Sequence, residues 1–320
     1  MELAPVLLLG FNRAATLQRV IERLARHRPT RMYVAADGPR DHARFPRDRD
    51  DCMAVRELLT ELPWPCTVTT RFHDTNVGLG PAVSGAISWF FEHEDAGVIL
   101  EDDCLPANDF LPFATALLRR YRIDSRIMSI RGSRFAPPGV PSAPSYSASR
   151  YFDCHGWASW RRAWHRYRYD ISDWRSRAGS SPLNQLGHIS AKYWSRRFDE
   201  IAREQPPRNW ARQFHLAHFL ADGISLVPSV NLVSHIGGGE GATNCTRGFR
   251  WDDNPTGSIG PELRHPDSLV PDAALDRWQE AWRHGHRRWA SRKFWQFMNR
   301  WQLGPLSWRR GGVGRTLPSQ

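Results

Sequence analysis

An α/β fold with a mostly parallel, doubly wound sheet and helices on both faces is what this sequence predicts, on three observations. Segments of strand length recur from the N-terminus, apolar at Pro5 to Gly10, Met32 to Ala36 and Val98 to Leu100 and mixed at Cys66 to Phe72. Segments with apolar residues at helical spacing lie between them. Each run ends in polar or turn-forming residues: Phe11-Asn12-Arg13, Asp37-Gly38-Pro39-Arg40, the stretch from His73 to Gly80, and Glu101-Asp102-Asp103. Right-handed crossovers bring the carboxyl ends of such strands to one edge, where open α/β sheets bind ligands.

The elements follow in order. Leu17, Val20, Ile21 and Leu24 mark the first helix, and Met53 to Leu62 predicts the second after a charged loop over 41–51. Pro81 suits the first turn of a helix that continues through Val83, Ala86, Ile87 and Phe90. Phe110 to Tyr121 predicts a helix and Ile127 to Arg131 a strand, followed by a proline-rich surface loop from Ala136 to Pro144. Trp157, Trp160, Trp164 and Tyr167 recur every three or four residues and predict one helix face, mostly core, with a sugar-stacking wall for one or two of them near Gly156. Tyr193 to Ile201 and Trp210 to Leu220 predict helices, and Ile224 to Val233 a strand leading into a glycine-rich loop with His235 and Glu240. That loop can approach a ligand closely, which makes His235 a candidate metal ligand or phosphate contact.

The acids at 101–103 would repel one another unless something positive joined them. A divalent cation with oxygen ligands does so; a solvated acidic turn is the alternative. Neither a GxGxxG after the first strand nor a GxxxxGK[ST] is present, so neither a dinucleotide fingerprint nor a P-loop is supported.

At 320 residues, 41% hydrophobic, the chain can bury a real core, and no apolar run is long enough to cross a bilayer. Its N-terminus reads as a first strand and not as a signal peptide. Five scattered cysteines without CxxC spacing argue against a disulfide framework or zinc site, and suggest reduced thiols in the cytoplasm. The net charge of +11 favours anionic partners and is densest after about residue 283, where Trp289, Trp295, Trp301 and Trp308 alternate with arginines. That tail predicts contact with an anionic membrane surface, or an Arg-faced helix packed on the domain. No nucleic-acid motif accompanies the charge.

Taken in order, Phe11-Asn12-Arg13, Ala36 to Arg40, Asn76 to Gly80, Leu100 to Pro106, Gly156 to Trp164 and Pro228 to Gly237 resemble a bacterial nucleotide-diphospho-sugar glycosyltransferase of the Rossmann-like GT-A fold. The sequence is similar to the family-2-like, HlpA-type group, and more distantly to N-acetylglucosaminyltransferase I in its Glu-Asp-Asp motif. The resemblance implies a GT-A domain over 1–250, with a nucleotide-binding half to 130 and an acceptor half beyond, and a basic aromatic extension over 251–320. It implies Asp103 as metal ligand of a DxD-type motif, with Asp102 and Glu101 on the ribose or a metal-bound water. It also implies that Phe11, Asn12, Arg13 and Asp37 meet the nucleotide, that Asn76 and Gly78 shape the donor wall, and that Trp157 and Trp210 face the acceptor. His235 stands where the relatives have Asn, so its metal role is inferred from the loop. Ala211 and Gly241 stand where they often carry Asp, which puts acceptor use or activity in question.

The expected reaction moves a sugar, with inversion, from a UDP-sugar to a hydroxyl of a saccharide or glycolipid in cell-surface polysaccharide synthesis. Mn²⁺ or Mg²⁺ would neutralise the departing diphosphate. Glu240, Asp153 and Asp222 are candidates for the general base; Glu240 is preferred because its loop can close over the donor. The expected location is cytoplasmic, peripheral at the inner membrane face. A catalytically degenerate sugar-nucleotide binder or adaptor is the alternative. A nucleotidyltransferase would need a basic glycine-rich loop after the first strand, which Phe11-Asn12-Arg13-Ala14-Ala15 is not.

Overall fold

The computed structural model of the protein describes residues 2–135, 144–179, 183, 185–204, 206–238 and 254–282. Glu240, the core of the proline-rich loop and the basic tail beyond Trp282 lie outside the described residues. Four strands, β1 (Val6–Gly10), β2 (Arg31–Ala36), β3 (Thr67–Phe72) and β4 (Ala96–Glu101), alternate with helices α1 (Ala14–Leu24), α2 (Asp48–Thr60) and α3 (Leu79–His93). They pair in parallel in the order β3-β2-β1-β4, so the chain reverses its direction of travel across the sheet between β1 and β4.

Beyond β4 come β5 (Cys104–Pro106), α4 (Phe110–Arg120), β6 (Ile127–Arg131), β7 (Tyr146–Ser149) and β8 (Trp157–Trp160). Two short helices follow, α5 (Arg161–Trp164) and α6 (Trp174–Ala178), then α7 (His188–Arg203), α8 (Ala211–Leu220), β9 (Ile224–Pro228), β10 (Val233–His235) and α9 (Ala273–Trp282). The eight-stranded sheet continues as β4-β8-β6-β9-β7. There β8 is antiparallel to both β4 and β6, β6 and β9 are parallel, and β7 is antiparallel to β9. The sheet is therefore parallel in its first half and mixed in its second. Strands β1, β2, β3, β4, β6 and β9 all point their carboxyl ends to one edge. The entry to β8, residues 153–156, reaches that same edge because β8 runs the other way.

Alternation along β1 sends Val6 and Leu8 into one apolar layer with α1, α2 and α4. Leu7 and Leu9 enter the opposite layer with α3 and α8. Burial on both faces is what made these strands continuous apolar runs. A third cluster, around Trp174, Trp194 and Phe198, packs α6, α7 and α8 together.

The expected Trp helix is corrected here. Trp157 to Trp160 form strand β8, and the helix begins only at Arg161. A spacing of three carried from a strand into a helix imitates one helical stripe. Trp157 is fully buried, Trp210 is 3% exposed, and their rings stack at 6.0 Å within the core, so neither presents a face to an acceptor. Two boundaries also move: α2 starts at Asp48, with Asp48, Asp50 and Asp51 in its positive first turn, and Pro228 ends β9 well before Val233. Trp157→Ala is expected to destabilise the fold by about 3–5 kcal/mol, measured by urea denaturation.

Candidate functional site

The switch between β1 and β4 leaves a crevice at the carboxyl edge, and a cavity of about 830 Å³, open mouth included, lies there. Its floor is apolar, from Leu9, Ala35, Leu79, Val83 and Ala86. Phe11, Arg13, Asp37, Arg40, Arg71, His73, Asn76, Glu101 and Asp102 supply the polar and aromatic wall.

Asp37 ties the wall together. Its Oδ1 accepts from the backbone N–H of Gly38 at 2.8 Å and of Val77 at 2.9 Å. Its Oδ2 accepts from the Asn76 amide at 2.9 Å and the Gly78 N–H at 3.0 Å. The loop before α3 is thus pinned to the end of β2. Gly78 has φ +89°, a conformation side chains disfavour. At Gly38 a Cβ would meet the Thr75 backbone at 2.4 Å. Asn12 donates to Asp48 Oδ1 at 3.0 Å, and Arg40 chelates the same carboxylate while stacking 3.7 Å from the Phe45 ring centroid.

The three acids do not share one environment. Glu101 and Asp102 line the cavity, while Asp103 faces the short β5–β10 ribbon, where His235 pairs with Cys104. Arg13 joins them: it forks onto Asp102 and donates to Asp103 Oδ2 at 2.8 Å. His235 Nε2 stands 3.3 Å from that same oxygen. The Ile236 N–H donates to the Asp103 backbone carbonyl, and a Cβ at Gly237 would fall 2.3 Å from Oδ2, so the loop closes tightly over this carboxylate. Desolvation and the charges of Asp103 and Asp102 push the Glu101 carboxyl up to about 8. Asp102 is also raised by desolvation, against the pull of Arg13. Asp103 is held low: burial raises it, but hydrogen bonds from His235 and the charge of Arg13 outweigh that.

Across the ribbon, Asp153 is buried, and its Oδ1 accepts from Ser133 Oγ at 3.0 Å, from the His155 N–H at 3.0 Å and from His155 Nδ1 at 2.6 Å. The His155 and His235 rings meet edge to face at 4.8 Å. Asp153, Cys154 and His155 hold ligand atoms within 4.8 Å of one another, the one such group of three found among the described residues. Asp222 lies instead at the amino edge, before β9, paired with Arg150 at 3.1 Å and largely exposed, so it is no base for this site.

Phe11, Arg13, Asp37, Asn76, Glu101 and Asp102 thus meet around one cavity, with Asp103, His235 and Asp153 beside it. Sequence reasoning missed Arg71 and His155, and took His73 only as part of the loop before α3. Arg71 and His73 sit at the carboxyl end of β3, and the rule that gathered the other strand ends would have found them.

No family model matches the chain, and no curated protein does. Among solved structures, it is similar to the apo-form glycosyltransferase GlyE of Streptococcus pneumoniae TIGR4, at 12% identity and a TM-score of 0.29, over 70% of this chain and 45% of that one. It is similar to a UDP-glucose pyrophosphorylase complexed with UDP-glucose, at 9% identity and a TM-score of 0.33, over 71% and 90%. It is also similar to the inositol-1-phosphate CTP transferase from T. maritima, at 11% identity and a TM-score of 0.32, over 71% and 86%. The chain spans less than half of the GlyE chain, and likenesses this distant carry no residue and no activity across.

Two outcomes follow from the site. Asp37→Ala leaves several loop donors without their acceptor and is expected to cost about 2–3 kcal/mol, read by urea denaturation. Glu101 ionises near 4.5 in an unfolded chain and near 8 in the fold, so it opposes folding increasingly as pH rises between those values. Glu101→Gln is therefore expected to match the parent near pH 4.5 and to become the more stable of the two by pH 8 and above, in denaturation series at several pH values.

Proposed function

We propose that the chain is a cation-dependent glycosyltransferase that moves a sugar from a nucleotide-diphosphate sugar, a UDP-sugar first among them, to a hydroxyl of a saccharide or glycolipid acceptor. The observation that carries this reading is the cavity at the β1–β4 switch. An apolar slot ringed by Phe11, Asp37, Arg71 and Asn76 suits a base and ribose, and it opens directly onto the acids at the end of β4. Arg13 and Arg71 add positive charge for a diphosphate.

Asp103 Oδ2 and His235 Nε2, 3.3 Å apart, are spaced like neighbouring ligands, which lie about 3 Å apart on an ion with bonds near 2.1 Å. Mn²⁺ or Mg²⁺ bound there would supply counter-charge to the departing diphosphate. Phe11 and Asn76 hold the nucleotide, and the Asp37 clamp keeps Gly78 and the start of α3 in place against it. The acceptor oxygen bonds to the anomeric carbon as the sugar–diphosphate bond breaks. The diphosphate keeps the electron pair, and the hydroxyl proton passes to a base, Glu240 in this reading, with inversion. Asp153 acts by holding His155 and not as the base, since its carboxylate is buried and engaged. Cell-surface polysaccharide synthesis suits such a reaction. The basic aromatic segment beyond residue 282 would rest on the anionic cytoplasmic face of a membrane.

Arg13 favours a second reading. Its guanidinium already neutralises Asp102 and Asp103, as a sugar-nucleotide binder without turnover would allow.

Thermal shift over a panel of sugar nucleotides, with and without Mn²⁺, tests both readings. The transferase reading expects one UDP-sugar to raise the melting temperature more with Mn²⁺ present, and Mn²⁺-dependent release of UDP with an acceptor. Arg71→Ala is expected to weaken nucleotide binding about tenfold. Binding without any release supports the binder, and no nucleotide binding at all overturns both.

A further inference from the structure

We propose that Arg13 couples nucleotide binding to cation binding: its guanidinium holds Asp102 and Asp103 in the free chain and turns onto the diphosphate when a nucleotide enters, which opens Asp103 to the ion. The proposal rests on the reading that this edge takes a nucleotide diphosphate and a divalent cation, and it names the residue that makes the two bind together.

Arg13 reaches the acids from a fixed point. Its carbonyl accepts from the Leu17 N–H at 3.1 Å and from Thr16 Oγ1 at 3.0 Å, which ties down the backbone where α1 begins and leaves the side chain to turn. The guanidinium donates through Nε to Asp102 Oδ2 at 3.3 Å and through Nη2 to Asp102 Oδ1 and, at 2.8 Å, to Asp103 Oδ2. It also fills the space under the loop after β10, where a Cβ at Gly237 would meet Nη1 at 2.8 Å.

The oxygen that Arg13 occupies is the one the ion needs. Asp103 Oδ2 faces His235 Nε2 at 3.3 Å and carries the Arg13 hydrogen bond as well. An ion bonded to that oxygen at about 2.1 Å would stand only about 3.5–4.3 Å from the guanidinium nitrogen, for angles of roughly 90–120° at the oxygen. Asp102 and Asp103 are buried, so two positive charges at that range repel far more than they would in water. Arg13 must therefore leave Oδ2 before the ion can bind well.

A guanidinium engaged with buried carboxylates does not leave without another anion to receive it. A diphosphate is such an anion, because phosphate oxygens take the same forked geometry as a carboxylate. Arg13 and Asp102 line the cavity together with Phe11 and Asp37, so the turn from acid to phosphate stays within one site. Arg13 is also the more open partner, its side chain 24% exposed against 4% for Asp102. Arg71 gives the contrast: it lines the same cavity with the same charge, but among the described residues it forms no ion pair with an acid. Coupling of this kind is reciprocal, so the ion tightens the nucleotide by the factor that the nucleotide tightens the ion.

The test titrates the full chain, stripped by chelator, with Mn²⁺ in a calorimeter, with and without UDP, in the parent, Arg13→Met and Arg71→Met. UDP is expected to tighten Mn²⁺ binding to the parent about 100-fold. In Arg13→Met, Mn²⁺ alone is expected to bind about tenfold tighter than in the parent, and the gain from UDP to shrink about tenfold. Arg71→Met is expected to weaken UDP while leaving the affinity for Mn²⁺ alone within about twofold of the parent. The proposal is overturned if Arg13→Met binds Mn²⁺ no tighter than the parent, if it gains as much from UDP, or if Arg71→Met tightens Mn²⁺ equally. Should Arg13→Met not fold, crystals of the parent with and without UDP and Mn²⁺ decide. Arg13 on Asp103 in the empty site and on the diphosphate in the filled one supports the proposal; any other pair of positions overturns it. UDP and Mn²⁺ that bind the parent independently overturn the coupling alone and leave the site standing, whereas a parent that binds neither overturns the site and the coupling together.

Discussion

Three consecutive carboxylates at the end of a buried strand need positive charge nearby, and in this protein Arg13 provides it. Arg13 stands in the link between β1 and α1, and its guanidinium forks onto Asp102 while touching Asp103. Desolvation alone would raise all three acids. Arg13 and His235 reverse that for Asp103 and leave Glu101 as the one with the most strongly raised carboxyl. Breaking such a pair by removing one partner costs more than forming it gained, because a buried charge is left alone. The ion cluster therefore couples β1 to β4 at the place where the sheet changes direction.

Around that cluster the molecule divides its work. The β1–β2–β3 side carries an apolar slot with a clamped rim, in which Asp37 spends its hydrogen-bonding capacity on shaping the loop before α3. The other side carries imidazoles, a thiol and a second buried carboxylate, brought in by the entry to β8 and by β10. The antiparallel strand β8 matters for this reason: running against its neighbours, it brings Asp153 and His155 to the edge where the parallel strands end. Among the described residues, no helix is long and apolar enough to cross a membrane.

Much of this was legible in the sequence. Strands β1, β2 and β4 are buried on both faces, so their apolar runs are unbroken, and their polar ends marked the site edge directly. Less legible was whatever depends on partners distant in sequence. Trp157 and Trp160 read as a helix because a short strand and the helix after it share the same small spacing. Arg71 was overlooked because β3 is an edge strand with alternating polar residues, where one arginine draws no notice. His155 gains meaning only from His235, eighty residues later, and that contact exists because β10 folds back along β5. Asp37 was expected to touch a nucleotide; that its carboxylate also holds four nitrogen donors of the protein itself could not be read from the sequence, because those donors lie across two loops.

The central claim is that this edge holds a cation and a nucleotide side by side, with Asp103 between them. Diffraction at the manganese absorption edge from crystals grown with Mn²⁺ and UDP tests it most directly. The account predicts an anomalous peak within bonding distance of Asp103, and a uridine lying between Phe11, Asp37 and Arg71. A nucleotide bound elsewhere, or no peak with Arg13 still resting on both Asp102 and Asp103, would contradict it.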